Sequence, residues 1–404
     1  MKNALNTTPV ADGITRRDGL MLTLLGSALS LAGCGGGGGG GVAGVSSGGT
    51  GSFSAGPITG FGSIIVGGIR FEDSTASSIL DIDDDNKDLR GQLKLGMMVR
   101  VKGKPKKIDR ADADDIEVRS ELLGPIDSID TVAKTLVVLG QTVQVTTATF
   151  FDDSLTGLPA LAVGNIVEVH GFVDPLNNRL SATRLELKLP VNVKAFKLQG
   201  TVSAFDASAK TFKIGTLTVS FATSVNTPAS LVLANGLLVR IRLAITPNTG
   251  IRTALKIRAV EAEVEDRDEA EVHGTITAFT SSSKFSVNGV PVDASGASVP
   301  AGLKLGDRVE VEGRLVKGVL LATQVKLEDD NDQLKFELHG AISGLNTSAK
   351  TFVLRGLIVD YSATTDFRPA GKTVANLVNG VSVEVKGPAS PDGKKVKATR
   401  ITFE

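Results

Sequence analysis

The sequence repeats itself five times after its first 55 residues, and this repetition constrains the fold more than any other feature. A glycine-led opening motif, such as "GTITAFT", begins at Gly56, Gly124, Gly200, Gly274 and Gly340. A second motif, "GxxVxVxG" in four of the five cases, follows 32 to 40 residues later, at Gly96, Gly164, Gly236, Gly306 and Gly380. A fixed succession of motifs is typical of a chain built from tandem copies of one small unit.

Within each repeat the apolar residues alternate with polar ones, which predicts strands. The stretch "KTFVLRGLIVDYS", Lys350 to Ser362, alternates on both sides of Arg355-Gly356 and predicts a hairpin. The equivalent hairpin in the fourth repeat turns at Asn288-Gly289, the residue pair that a type I′ turn prefers. The opening strand, the hairpin, the second motif and a closing motif such as "ATQVKL" give five strands per repeat. Segments such as "SLTGLPALAVG" between the third and fourth strands leave room for one helical turn.

These observations predict an all-β protein of five tandem small OB-like β-barrels, with a small sandwich as the alternative arrangement of the same strands. Few residues separate the repeats, so we expect separate barrels in a short row. The predicted repeats span residues 56–122, 123–190, 195–265, 270–329 and 336–404.

The N-terminal 33 residues have the pattern of an export signal. Arg16 and Arg17 precede an apolar run, Leu20 to Leu31, which is too short for a comfortable membrane span. The twin arginines resemble the twin-arginine export signal, although Gly19 stands where that pattern usually has Phe. Twin-arginine and general secretion both remain open as export routes.

The only cysteine of the chain follows this signal directly. The residues Leu31, Ala32, Gly33 and Cys34 resemble the lipobox of bacterial lipoproteins, which implies cleavage before Cys34 and a lipid anchor on it. Residues 34–55 are rich in Gly and Ser and predict a flexible tether. By the same resemblance, Gly35 after the cysteine implies a lipid-anchored protein of the cell envelope, at the outer membrane.

The repeated pattern "GxI…G…V.V.G…L.A..V", placed behind a lipoprotein signal, resembles the domain of unknown function 5666 family of exported bacterial proteins. The resemblance covers residues 56–404. It implies small β-barrel modules, and it implies neither an activity nor functional residues.

Composition argues against several classes of function. Lys plus Arg equals Asp plus Glu at 44 each, there is no Trp, and the 16 Phe alternate along strands as core residues do, so we expect no nucleic-acid binding. No "GxSxG" elbow occurs within the repeats, and the three histidines, His170, His273 and His339, are predicted to be ordinary strand residues. We therefore expect no enzymatic activity and no cofactor.

One acidic run is a candidate cation site. In "DIDDDNKD", Asp81, Asp83 and Asp85 have the 1, 3, 5 spacing of a calcium loop, in which alternate carboxylates converge on one ion. Asn86 and Gln92 depart from that loop where it requires Gly and Glu. The sequence predicts a weak calcium site here, with a solvated acidic loop as the alternative.

The function that the sequence favours is a structural or adaptor role for a membrane-anchored envelope lipoprotein, with an envelope protein as partner. The third repeat, in which "GLLVRIRLAI" lacks the second glycine and is more apolar, is the candidate contact region. The alternative is a module that binds an envelope polysaccharide or a divalent cation such as calcium.

Overall fold

A computed structural model describes residues 53–82, 87–107, 110–174, 179–227, 229–246, 250–260, 266–328, 335–390 and 394–404. These residues belong to one compact unit and form strands and four short 3-10 turns. The turns lie at Asp73–Thr75, Leu158–Ala160, Pro190–Asn192 and Val374–Asn376. In this part of the chain no helix is both long enough and apolar enough to cross a bilayer. The all-β prediction is confirmed.

The first three repeats contain twenty strands. Repeat 1 consists of β1 (Phe53–Pro57), β2 (Gly60–Phe61), β3 (Ile64–Val66), β4 (Ile69–Glu72), β5 (Ser78–Asp81), β6 (Lys87–Asp88), β7 (Met98–Lys107) and β8 (Arg110–Val118). Repeat 2 consists of β9 (Leu122–Asp130), β10 (Thr135–Val138), β11 (Gln141–Phe151), β12 (Ile166–Asp174) and β13 (Arg179–Lys188). Repeat 3 consists of β14 (Phe196–Thr201), β15 (Ser203–Asp206), β16 (Thr211–Ile214), β17 (Leu217–Ser220), β18 (Val225–Thr227), β19 (Leu238–Leu243) and β20 (Arg252–Ala259).

The last two repeats contain twelve strands. Repeat 4 consists of β21 (Arg267–Ser281), β22 (Lys284–Val287), β23 (Val290–Asp293), β24 (Arg308–Val316) and β25 (Val319–Glu328). Repeat 5 consists of β26 (Lys335–Asn346), β27 (Thr351–Leu354), β28 (Leu357–Asp360), β29 (Asp366–Arg368), β30 (Ser382–Pro388), β31 (Lys395–Lys397) and β32 (Arg400–Phe403). The strand β1 begins at Phe53, three residues before the predicted start of the repeats.

The strands of each repeat are hydrogen-bonded in the same cyclic order. In repeat 4 the first strand, β21, pairs antiparallel with β22 and β24, and β22 pairs with β23. The third strand, β23, then runs parallel to the fifth, β25, which returns antiparallel to β24. The same five-strand order recurs in repeats 1, 2, 3 and 5, although in repeats 1, 3 and 5 one of the five strands is divided in two and short extra strands occur. The ladder therefore returns to its first strand in every repeat.

The motif glycines mark places where backbones approach closely. The opening Gly274 lies under the hairpin turn, where the Asn288 side chain donates to His273 O at 3.2 Å and accepts from Thr275 N at 3.1 Å. A Cβ on Gly274 would collide with this amide. The final glycine of the second motif, Gly313, lies at a β-bulge where a Cβ would collide with the carbonyl of Leu321. Asn288 and Gly289 both have positive φ, 47° and 78°, as the predicted turn requires.

Alternating strand residues fill the interior of the repeats. Phe71, Phe212, Phe336 and Phe352 are completely buried, which is the place that the sequence predicts for the phenylalanines. Aromatic residues also pack across repeat boundaries, since Phe53 of repeat 1 lies in the hydrophobic core of repeat 4 and Phe150 of repeat 2 lies in that of repeats 1 and 5.

The repeats are joined to one another through their first strands. Parallel pairing connects β1 to β21 at Ser54↔Glu271 and β2 to β26 at Gly60↔Glu337, and antiparallel pairing connects β9 to β14. Among the described residues, repeats 1, 4 and 5 thus share one 20-stranded sheet, and repeats 2 and 3 share a 12-stranded sheet.

The prediction of separate barrels in a row is therefore wrong. The physical reason lies in how each first strand changes partner along its length. In β21, residues 270–275 pair with β24 and residues 276–281 pair with β22, so one edge of the first half has no partner within its own repeat. Backbone N–H and C=O groups on such an edge require hydrogen bonds. A strand from another repeat supplies them.

Candidate functional site

The fourth strand of the five-strand pattern carries a charged side chain at its third residue in every repeat. These residues are Arg100, Glu168, Arg240, Glu310 and Glu384. All except Glu384 are at most 8% exposed, because these faces lie where repeats pack together. Burying a charge is costly unless a partner compensates it, so the joints between repeats are where polar side chains converge.

At the joint between repeats 1 and 4, His273 lies between two carboxylates. Its Nε2 is 2.9 Å from Glu271 Oε1 and its Nδ1 is 2.8 Å from Glu328 Oε1, while Glu310 completes the cluster within 4.8 Å. Burial alone would lower the pKa of His273, but the hydrogen bonds to Glu271 and Glu328 raise it well above its usual value. The ring is therefore an imidazolium held by carboxylates at neutral pH.

Repeat 1 closes over this cluster with a glycine. Gly67 follows β3 with a φ of 59°, and a Cβ there would lie 3.1 Å from Glu271 Oε2 and 3.1 Å from His273 Cδ2. The left-handed conformation and the close approach together favour glycine at this turn. The sequence "VGGI" therefore contributes to the joint as well as to its own hairpin.

Repeat 5 has an equivalent cluster at its joint with repeat 1. His339 lies 2.6 Å from both Glu337 and Glu404, and Arg70 of repeat 1 reaches Glu337 at 3.2 Å. Lys386 pairs with Glu337 at 3.0 Å. Burial opposes ionisation of Glu337, but His339 and Lys386 lower its pKa to about 2.

Both clusters place one His nitrogen and two carboxylates close enough to ligate a metal ion. The two sets are Glu271, His273 and Glu310, and Glu337, His339 and Glu384. Protein cations already pair with these carboxylates, however. Lys326 reaches Glu310 at 2.6 Å, and Lys386 reaches Glu384 at 2.8 Å. We therefore interpret both clusters as ion-pair networks that lie at joints between repeats, and the Arg70–Glu337 pair crosses the joint between repeats 1 and 5.

A third network joins repeats 1, 2 and 3. Lys197 of repeat 3 donates to Asp81 of repeat 1 at 2.5 Å and to Glu168 of repeat 2 at 3.3 Å. Burial would raise the pKa of Glu168, but Lys197 and Lys188 hold it well below its usual range. His170 differs from the other two histidines. Burial lowers its pKa, and its Nδ1 accepts a hydrogen bond from Met98 N at 3.2 Å.

The residues that the sequence singled out have different positions relative to these networks. Asp81, the first residue of the expected calcium loop, accepts the Lys197 hydrogen bond at the joint, whereas Asp83 and Asp85 lie outside the described residues. Calcium binding would require Asp81 to share its carboxylate with Lys197, and it stays a prediction. The export and lipidation residues Arg16, Arg17, Leu31, Ala32, Gly33 and Cys34 also lie outside the described residues.

Sequence reasoning missed the carboxylates that hold the histidines. A signal for them is present, because "EVHG" and "ELHG" place Glu271 and Glu337 two residues before a His, on the same face of a strand. The partners Glu328 and Glu404 each directly follow the closing motif of their repeat. Comparing these positions between repeats 4 and 5 would have identified both clusters.

The cyclic strand order and the polar joints define an all-β repeat protein whose units pack into one body. Three segments, residues 124–186, 273–326 and 339–402, match the family model described as domain of unknown function (DUF5666). They correspond to repeats 2, 4 and 5. These three segments therefore match the family that the repeated motifs predicted.

No curated protein matches the chain. The solved structure described as Drosophila Unr CSD456 is 16% identical, and the match covers 53% of this chain and 99% of that one with a TM-score of 0.14. This similarity is too weak to support a conclusion about fold or function.

Proposed function

We propose that this protein is a lipid-anchored, non-enzymatic adaptor of the cell envelope, built from five OB-like barrels and binding a partner protein through repeat 3. The cyclic order of strands one, two, three, five and four supports the OB-like assignment, as do the 3-10 turns between third and fourth strands in repeats 2 and 5. The engagement of all three histidines in joints between repeats supports a scaffold rather than a catalyst.

The observation that carries the adaptor role is the surface of repeat 3. Between residues 195 and 259 the chain has eight basic residues and a single acidic one, Asp206. The basic residues are Lys197, Lys210, Lys213, Arg240, Arg242, Arg252, Lys256 and Arg258. Only Lys197 and Arg240 of this set are buried. The whole chain is neutral, so this repeat concentrates positive charge that other repeats balance.

Apolar side chains are exposed on the same repeat. Val225, Val232, Ile245 and Leu255 are 64%, 79%, 47% and 44% exposed. The strand β18 pairs with β20 so that Val225 lies opposite Lys256, next to Leu255. A surface that mixes exposed valine and leucine with lysine and arginine fits a partner protein with apolar side chains among acidic ones. We name the residues Val225, Leu255, Lys256 and Arg258 the repeat 3 face.

The anchor favours a protein over the membrane as the occupant of this face. A lipid on Cys34 would attach the chain to the bilayer by itself, so membrane attachment does not require the repeat 3 face. Incorporation of labelled palmitate into the wild-type protein, and its loss in Cys34→Ala, tests the anchor.

Cross-linked capture from native envelopes, analysed by mass spectrometry, tests the adaptor role. The test variant is Leu255→Ser/Lys256→Glu/Arg258→Glu, and the matched control reverses the exposed Lys284 and Lys350 of repeats 4 and 5 to Glu. We expect one protein to be captured by wild type and control, and at least tenfold less by the test variant. Equal capture by all three contradicts the proposal. Binding of the unlipidated chain to phosphatidylglycerol vesicles through the same residues would assign the face to the membrane instead.

A further inference from the structure

A cavity of about 260 Å³ lies where repeats 1, 2 and 5 meet. Its apolar wall comes from all three repeats and consists of Phe61, Leu93, Leu95, Phe150, Phe151 and Leu357. The joint beside it is tightly packed, because Phe150 of repeat 2 contacts Phe336 of repeat 5 edge to face at 4.5 Å between ring centroids. The cavity therefore exists only in the assembled chain.

The polar part of the lining is mainly cationic. Lys94, Arg184, Arg355 and Lys394 face the cavity together with two acidic residues, Asp73 and Asp153. Arg184 pairs with Glu186, and Lys94 and Arg355 are the exposed cations of the rim. An apolar wall with a cationic rim is the complement of an organic anion.

Two of the cations donate to backbone carbonyls. Arg355 Nε donates to the backbone carbonyl of His339 at 2.9 Å, and Lys394 Nζ donates to the backbone carbonyl of Asp153 at 2.9 Å. The bond to His339 orients the Arg355 side chain and adds no countercharge to it. Lys94 and Arg355 are exposed, so a ligand can reach the rim from solvent.

We propose that this cavity binds a small organic anion that has an aromatic or other apolar body and carries one carboxylate, sulfonate or phosphate group. The body packs against Phe61 and Phe150, and the acidic group lies at the rim with Lys94 and Arg355. This site is independent of the repeat 3 face, so the two proposals can fail separately.

The test uses the full-length chain and two fluorescent probes that share their rings. One is 8-anilinonaphthalene-1-sulfonate, and the other is N-phenyl-1-naphthylamine, which lacks the sulfonate. We expect one sulfonate probe to bind per chain, at least tenfold more tightly than the uncharged probe. The double variant Lys94→Met/Arg355→Met should weaken sulfonate binding at least tenfold and leave the uncharged probe unaffected.

Two further variants locate the binding. Lys213→Met removes an exposed lysine of repeat 3 and should bind the sulfonate probe like wild type. Arg179→Met removes a cation from a second cavity, of about 270 Å³ between repeats 2 and 3, and should also leave binding unchanged. Equal affinity for both probes, loss of binding in Arg179→Met, or unchanged binding in the Lys94/Arg355 variant would each overturn the proposal. Unchanged far-ultraviolet circular dichroism confirms that the variants are folded.

Discussion

Replacing Gly60 by Ala should weaken the joint between repeats 1 and 5. Gly60 is buried in β2 and pairs with Glu337 of β26. A Cβ at this position would lie far inside 3.0 Å of the Glu337 carbonyl oxygen and 2.7 Å from Ile65 Cδ1. A backbone carbonyl in a strand ladder cannot rotate away as a side chain can. The two strands must therefore separate locally.

The size of the effect follows from three contributions. Overpacking costs about 1–3 kcal/mol, and a rigid backbone neighbour favours the upper part of that range. The hydrogen bond from Glu337 N to Thr59 O, 2.9 Å long and next to Gly60, contributes about 1 kcal/mol more if it is lost. The reduced entropy of the unfolded chain offsets about 0.4–1 kcal/mol. We expect a net loss of about 2–3 kcal/mol in the free energy of unfolding.

Urea denaturation, monitored by tyrosine fluorescence, can measure this loss of stability in repeat 5. The chain has no Trp and one Tyr, and Tyr361 is buried in repeat 5, 5.8 Å from Phe352 between ring centroids. With an m-value of about 1–3 kcal/mol/M, the midpoint of the Tyr361 transition should fall by roughly 1 M.

The matched control is Gly296→Ala, because nothing lies within 4 Å of a Cβ at Gly296 and its φ is not left-handed. This variant should be neutral or slightly stabilised. A Tyr361 midpoint in Gly60→Ala equal to that of Gly296→Ala would show that the joint does not constrain repeat 5.

Three further predictions concern the networks and the acidic run. Because the pKa of His273 is raised in the folded protein, its stabilising contribution is complete below about pH 6.5 and is lost as the pH rises through the higher folded value. As the pH rises from 7 to 10, the urea midpoint of the wild type should therefore decrease more than that of His273→Gln. Parallel plots of midpoint against pH for the two proteins would contradict this. Lys197→Met removes the buried lysine that pairs with Asp81 and should lower the free energy of unfolding by roughly 3 kcal/mol or more. An unchanged urea midpoint would mean that the pair is not formed. Calorimetry should detect weak calcium binding that is lost in Asp83→Asn/Asp85→Asn, and heats identical in the two proteins would assign the run to a solvated loop.

Much of the local structure was predictable from sequence. The hairpin around Arg355-Gly356 is β27 and β28, and the helical turn expected in "SLTGLPALAVG" is the 3-10 turn Leu158–Ala160. Such features depend on alternation and turn residues a few positions apart. Local sequence carries that information directly.

The joints were not predictable in the same way. An outward-facing Glu271 has the same sequence pattern whether solvent or another repeat covers it. Its burial depends on β1, more than 200 residues earlier, pairing with the open edge of β21. The same applies to the Lys197–Asp81 pair, whose members lie 116 residues apart.

The sequence by itself determined the number of repeats, the five-strand pattern and the positions of the hairpins, because each follows from short-range periodicity and turn chemistry. Only the tertiary structure decided that the repeats merge into shared sheets, that His273 and His339 lie within ion-pair networks, and that a cavity forms between three repeats. These outcomes depend on which strand edges are left open and which distant strand satisfies them. Long-range backbone pairing sets that choice, and it leaves no periodic signal in the sequence.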